Sequence, residues 1–212
     1  MAGVVRPYRG VSADDRRSQR RARLIEAALD VLGEAGIAGA TMTAVCARAG
    51  LTGRYFYESF RGRNDLLLAV FDACVRELDA AIFAALDASP PTLLDRARVP
   101  ARALIEVLTD DPRKARLYIE SVGEPALAAR RAEAGRAYAA LLAEIMREFG
   151  GLTEECERAP LDLAALVLVG GVAEAIVSWL DGAVAMSRAV LVEECARLSV
   201  AAVEAVRATA VP

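Results

Sequence analysis

The twenty residues from Thr41 to Phe60, TMTAVCARAGLTGRYFYESF, leave this chain little freedom in what it can become. They read as two short helices joined by a tight turn. Thr41 or Thr43 can cap the first, because a threonine hydroxyl accepts a hydrogen bond from an orphan N–H of the first turn. Val45 and Ala49 fall four apart and share a face, with small Cys46 and Ala47 beside them. Gly50 stands where a helix closes through a left-handed residue, a conformation glycine adopts cheaply. Leu51 can then fill the gap between the helices, and Thr52 can cap a second helix running to about Ser59. Phe56 lies one turn before Phe60 and faces inward, which leaves Gly53, Arg54, Tyr55 and Tyr57 on or near the outer face. Such a helix, backed by a glycine turn, has the build of a helix-turn-helix recognition element.

At these residues the chain resembles the TetR family of bacterial transcriptional regulators. The family pattern is a threonine, an apolar residue leading to alanine, Ala-Gly, an apolar residue, a Ser/Thr cap and an aromatic pair ending in phenylalanine. A helix opening with a basic residue follows. Here these are Thr41, Val45 to Ala47, Ala49-Gly50, Leu51, Thr52, Tyr57, Phe60 and Arg63, followed by Leu66-Leu67. The match spans about Arg17 to Val75. Arg63 stands where the family usually has lysine and keeps the charge. Glu58 occupies a place that is often histidine or another polar residue.

Composition supports an all-helical protein. Alanine, leucine, glutamate and arginine dominate, prolines number 8, and alternating strand patterns are hard to find. With 55% hydrophobic residues the chain can bury a sizeable core. The net charge of −3 hides an asymmetry: residues 1–63 hold 11 arginines against 6 acidic residues, a net of +5, so the remainder carries −8. A basic head on an acidic body suits a polyanion partner for the head, although basic arms are also common solubilising features. The four cysteines, Cys46, Cys74, Cys156 and Cys195, are too far apart in sequence to clip a metal, and they suit a reducing cytoplasm. Met1 to Gly10 lacks the apolar core of a signal peptide. In the most apolar run, Leu161 to Leu180, the longest charge-free stretch (Leu163 to Ala173) is too short to span a bilayer. No membrane partner is expected.

Four regions follow along the chain. Residues 1–15 form a flexible arm in which Arg6 and Arg9 can reach DNA or simply stay solvated. Residues 16–63 form the helix-turn-helix domain, opening with a helix from about Arg16 to Ala35 that Gly36 ends. Arg16, Arg17, Arg20, Arg21 and Arg23 oppose the macrodipole at that helix's start, so either a phosphate backbone or a solvated face accounts for them. Residues 64–88 form a connecting helix, and Ser89-Pro90-Pro91 marks a boundary. Residues 89–212 form a C-terminal body of five helices: Thr92 to Leu108, where Pro100 kinks or restarts the helix, Arg113 to Gly123, Pro125 to Phe149, Leu161 to Leu180, and Ser187 to Ala208. The last two are too apolar for a monomer's surface. Leu191, Cys195, Leu198, Ala202 and Ala205 form one stripe with Val192, Ser199, Val203 and Val206 beside it; Ala164, Leu168, Gly171 and Ala175 form another. These stripes suit either a four-helix homodimer interface or the core of one subunit.

Arg54 is the side chain suited to a bidentate contact with guanine, Tyr55 can meet a thymine methyl or a phosphate, and Gly53 lets the helix N-terminus approach an anion. The resemblance implies phosphate contacts for Thr41, Thr43, Thr52, Tyr57 and Arg63. Against these, Thr52 is first a cap and Tyr57 can chiefly pack. The resemblance also implies an N-terminal three-helix DNA-binding domain joined to a helical-bundle ligand-binding and dimerisation domain. It further implies a ligand cavity in the body, for which Arg102, Tyr118, Glu120, Tyr138, Glu174 and Trp179 are the polar or aromatic candidates. Glu174 can bind a cation, pair with an arginine or face water; the aromatic residues can equally be core.

The function expected is that of a cytoplasmic transcriptional regulator, a repressor that reads a palindromic operator in double-stranded DNA as a homodimer and is released by a small-molecule effector. No cofactor and no metal are expected. An enzyme is disfavoured by the absence of histidine, of a metal-ligand cluster and of a phosphate-cradling glycine loop. A ligand-blind architectural DNA-binding protein is the remaining alternative.

Overall fold

Among residues 12–151 and 158–209, which the computed structural model describes, nine α-helices succeed one another and no strand occurs, as an all-α fold requires. They are α1 (Ala13–Gly39), α2 (Met42–Ala49), α3 (Gly53–Ser59), α4 (Arg63–Ala88), α5 (Leu93–Asp110), α6 (Pro112–Glu120), α7 (Pro125–Phe149), α8 (Arg158–Leu180) and α9 (Arg188–Thr209), with a 3-10 turn at Ser121–Gly123. Arg6, Arg9 and Cys156 lie outside the described residues. The start of α1 precedes the expected Arg16 because Ser12 and Asp15 form a capping box. The Asp15 N–H donates to Ser12 Oγ (2.9 Å) and the Ser12 N–H donates to Asp15 Oδ2 (3.2 Å).

The helices gather into two compact units. One holds the described residues up to Cys74 together with Pro112–Leu127; the other holds Val75–Asp111 and the described residues from Ala128 on. This differs from the linear division at Ser89–Pro91, because α6 packs on α1 rather than staying with its sequence neighbours.

In the first unit α1 lies against α2, α3 and α6. Leu24, Ala28 and Leu32 of α1, Val45 of α2, Phe56 and Phe60, and Leu66, Leu67 and Val70 of α4 are all at most 2% exposed. Gly36 interrupts α1 with φ 72° and ψ −180°, so the chain leaves helical geometry where the sequence suggested. Gly50 ends α2 in the left-handed region (φ 61°, ψ 37°), and the Leu51 N–H closes the turn onto the Cys46 carbonyl at 3.0 Å.

In the second unit Thr92 caps α5, accepting from the Asp95 N–H at 3.2 Å, and the helix runs unbroken through Pro100. Arg98 forks onto Glu193 of α9 (Nε–Oε2 2.7 Å, Nη2–Oε1 3.1 Å), a bidentate geometry that fixes helix register as well as charge. One buried cluster joins Leu78, Ile82 and Leu86 to Val99, Ala103 and Ile145; another joins Leu142, Ala143 and Met146 to Leu161, Ala165, Val203 and Val206.

The exposed faces of the last two helices do not coincide with the stripes read from the sequence. On α9 the buried side is Leu191, Val192, Cys195, Ala196, Ser199, Val203 and Val206, so the sequence stripe splits: Leu191 and Cys195 are inside, while Leu198 is 56% exposed and Ala205 is also exposed. On α8 only Leu161, Ala165 and Ile176 are buried. Its outward face is Leu163, Leu166, Val167, Gly170, Gly171 and Glu174, about 90° round from the stripe centred on Ala164 and Leu168. By length and composition α8 is apolar enough to cross a membrane (mean hydropathy 2.1 over 18 residues, 11% of that window buried), contrary to the charge-free length read from sequence. Its buried side nevertheless belongs to the core of this unit.

Candidate nucleic-acid interface

The α2–turn–α3 segment puts a row of polar and aromatic side chains on the surface of the first unit. Thr41, Thr43, Thr52, Arg54, Tyr55 and Tyr57 are exposed. Thr41 caps α2, its Oγ1 accepting from the Ala44 N–H at 3.2 Å. Thr52 departs from expectation. It holds the cap position of α3 by backbone conformation (φ −86°, ψ 160°), but its hydroxyl makes no cap hydrogen bond. Leu51 is half-buried between the two helices.

The apolar anchor of α3 is its inner side. Phe56 is fully buried, packs on Phe60 (ring centroids 5.6 Å apart) and meets the edge of Tyr57 at 5.5 Å. Tyr57 therefore packs on one face and still leaves 63% of its surface outside. The Arg54 side chain is 84% exposed. At Gly53 a Cβ would find its nearest neighbour, Met42 Sδ, at 3.4 Å, an ordinary contact. The chain's own packing therefore does not demand glycine there.

The arginines of α1 have a role that neither sequence explanation contained. Arg23 Nη2 donates to the Ala49 carbonyl at the end of α2 (2.6 Å), and Arg17 Nη2 donates to the Glu58 carbonyl near the end of α3 (2.7 Å). Both put a cation where a helix leaves its last carbonyls unpaired and its dipole negative. Arg20 lies over the Tyr55 ring at 4.7 Å and Arg21 over Phe60 at 4.9 Å. These residues dock the helix-turn-helix onto α1. Arg63 is likewise turned inward: Nη2 donates to the Ile37 carbonyl (2.7 Å) and Nη1 lies 3.6 Å from Glu124. Arg61, not singled out from sequence, is exposed just before α4.

The effector candidates fall on both units. Tyr118 and Glu120 sit on α6 in the first, and Arg102, Tyr138, Glu174 and Trp179 in the second. Arg102 and Glu174 are exposed. Tyr138 donates its hydroxyl to Asp79 (2.9 Å) and Trp179 its indole N–H to the Met186 carbonyl (2.9 Å). Glu120 is a structural anchor. Its Oε2 accepts the Ile37 N–H freed at the Gly36 break (2.6 Å), and its Oε1 accepts from Arg116 Nε (2.8 Å). An open cleft of about 430 Å³ beside it is lined by Ile37, Ala38, Arg63, Ile119, Glu120, Gly123 and Glu124.

Burial pushes the Glu120 carboxyl up, but the Ile37 N–H and the Arg116 guanidinium together outweigh it and hold the pKa below the ordinary 4.5. A lowered folded-state pKa stabilises fully above the unfolded value and is lost as pH falls through the folded one. The first unit is therefore expected to lose stability below pH 4.5. In urea titrations at stepped pH, Glu120→Gln should flatten that acid limb; an unchanged limb would assign the acid sensitivity to other carboxylates.

The profile of the bacterial regulatory proteins of the tetR family matches residues 24–70, which span most of α1, all of α2 and α3, and the start of α4. The fold as a whole matches solved structures. A Pseudomonas aeruginosa PAO1 protein assigned to transcriptional regulation aligns with TM-score 0.69 at 23% identity, over 93% of this chain and 99% of that one. The fatty acid degradation regulator FadR of Bacillus halodurans aligns with TM-score 0.69 at 20% identity, over 85% and 94%. FadR of Bacillus subtilis, solved with stearoyl-CoA, aligns with TM-score 0.68 at 18% identity, over 85% and 98%. Residues 24–70 thus match the bacterial regulatory proteins of the tetR family, and the chain shares its fold with these solved structures.

Proposed function

We propose that the protein is a cytoplasmic repressor that reads a palindromic operator as a homodimer and is released by a small-molecule effector. The observation that carries the DNA reading is the exposed row of Thr43, Thr52, Arg54 and Tyr57 on a helix-turn-helix whose hydrophobic side is fully committed to its own core. The hydroxyls of Thr41, Thr43, Thr52 and Tyr57 suit phosphate contacts, which set register, while Arg54 reads a base. Arg63, held by Ile37 and Glu124, serves first to brace α4. The apolar outward face of α8 supports the homodimer, and two heads would read half-sites about 34–36 Å apart or a multiple of that. A relative of the same fold holding stearoyl-CoA supports an effector that shifts the population of DNA-competent dimers.

Selection of duplexes from a random pool by the purified protein tests this reading. A palindromic motif is the expected product, and enrichment of no motif would overturn the operator-reading role. On the selected duplex, Arg54→Ala is expected to lose about 1–3 kcal/mol per half-site while binding scrambled DNA with little change. An unchanged ratio between the two duplexes would remove Arg54 as a base reader.

A further inference from the structure

Glu58 is the anomaly of the recognition helix. A carboxylate there repels DNA phosphates and lies near the helix C-terminus, where the dipole disfavours an anion. Its pairing with Arg54 at i,i+4 also runs in the less favourable order, with the cation N-terminal. Local stability therefore does not account for it. The geometry does. Glu58 Oε1 lies 3.2 Å from Arg54 Nε, and Oε2 lies 3.6 Å from Arg20 Nη2. The carboxylate is thus held between the two helices, and the backbone carbonyl of the same residue is fixed by Arg17. Its side chain is 35% exposed, against 84% for Arg54, so it buttresses the reader from behind.

Resting on the operator-reading role above, we propose that Glu58 is a positioning residue for base readout. By taking the Nε–H it directs the free Nη1/Nη2 edge of Arg54 outward, the edge that meets guanine O6 and N7 side by side. Pre-organising a long side chain reduces the ordering cost of the contact. Glu58 trades general affinity for selectivity at one base pair per half-site, because its charge opposes every phosphate nearby.

The test is random-pool selection with the full chain as wild type, Arg54→Ala, Glu58→Ala and Glu58→Gln, comparing base preferences column by column. Arg54→Ala identifies the column it reads. Glu58→Ala is expected to reduce the guanine preference at that column alone by about three- to tenfold. Glu58→Gln keeps an acceptor for the Nε–H, so it should retain that preference while binding all sequences more tightly. Both Glu58 variants keep the backbone carbonyl that Arg17 grips, and matching thermal midpoints would show the head intact. A wild-type guanine preference in Glu58→Ala, or a loss spread evenly over all columns, would overturn the positioning role and leave operator reading standing. A wild-type pool without a motif, or an Arg54→Ala pool with every column intact, would overturn the parent reading and this one with it.

Discussion

Leu166→Glu combined with Val167→Glu is expected to leave a folded monomer at micromolar concentration and to weaken operator binding by about 10²–10⁴-fold. Leu163, Leu166, Val167, Gly170, Gly171 and Glu174 recur at the three- and four-residue spacing of a helix seam, and all are exposed. Leu163 and Val167 leave 61% and 64% of their surface outside. At Gly170 and Gly171 an added Cβ would meet nothing within 4 Å, so a second helix backbone can approach closely. Two carboxylates placed in such a seam would be stripped of water without a counter-ion, which association cannot offset. The fold should survive, because α8 is held by the opposite side, through Leu161, Ala165 and Ile176. Sedimentation equilibrium and binding to full and single half-site duplexes check this together. Breaking the proposed dimer should remove avidity on the full site, while affinity for a single half-site stays the same. A double variant that still sediments as a dimer would place the interface elsewhere.

The contrast between the head and the last two helices shows what one sequence can disclose. The helix-turn-helix was legible because its determinants are local: a threonine cap at Thr41, a left-handed Gly50, and two phenylalanines one turn apart. The outward faces of α8 and α9 were not. α8 is apolar on every side, so periodicity cannot say which side meets its own subunit. On α9, Leu191 and Leu198 fall about 20° apart around the helix axis, yet one is 3% and the other 56% exposed, because they straddle the edge of the buried arc.

The site divides the same way. Exposure of Arg54 and Tyr57 follows from helix period once Phe56 is known to point inward. The use of Arg17 and Arg23 as caps for other helices does not, since it depends on where the ends of α2 and α3 arrive in space. The same holds for α6, whose place on α1 rests on side chains such as Arg116 and Glu120 meeting α1 at Gly33 and Ile37. Read along the chain, Glu120 is a carboxylate free to bind a ligand. In the fold it anchors a broken helix.

That anchor makes Gly36→Ala a damaging small substitution in the head, expected to cost about 2–5 kcal/mol. Its backbone, at φ 72° and ψ −180°, lies in a region essentially reserved for glycine, with a strain of about 1–3 kcal/mol for other residues. The added Cβ would also fall 2.7 Å from Glu120 Oε2, 2.8 Å from Oε1 and 3.0 Å from Arg116 Nη2. Side-chain ends usually yield to such a clash, but here both are committed. Glu120 holds the Ile37 N–H, and Arg116 Nη1 donates to the Gly33 carbonyl at 3.0 Å. Displacing the carboxylate leaves a part-buried N–H unpaired, at about 1–3 kcal/mol. The two contributions separate in a double-mutant cycle. With Glu120→Ala already present the clash with the carboxylate has gone and the 3.0 Å approach to Arg116 Nη2 remains, so Gly36→Ala should add mainly the backbone strain, and the pair should be non-additive by about 1–2 kcal/mol. Urea denaturation of the four proteins measures both quantities. A Gly36→Ala protein within about 0.5 kcal/mol of wild type would mean that the break in α1 relaxes freely. Strict additivity would mean that the Glu120–Ile37 bond is not what the methyl group displaces.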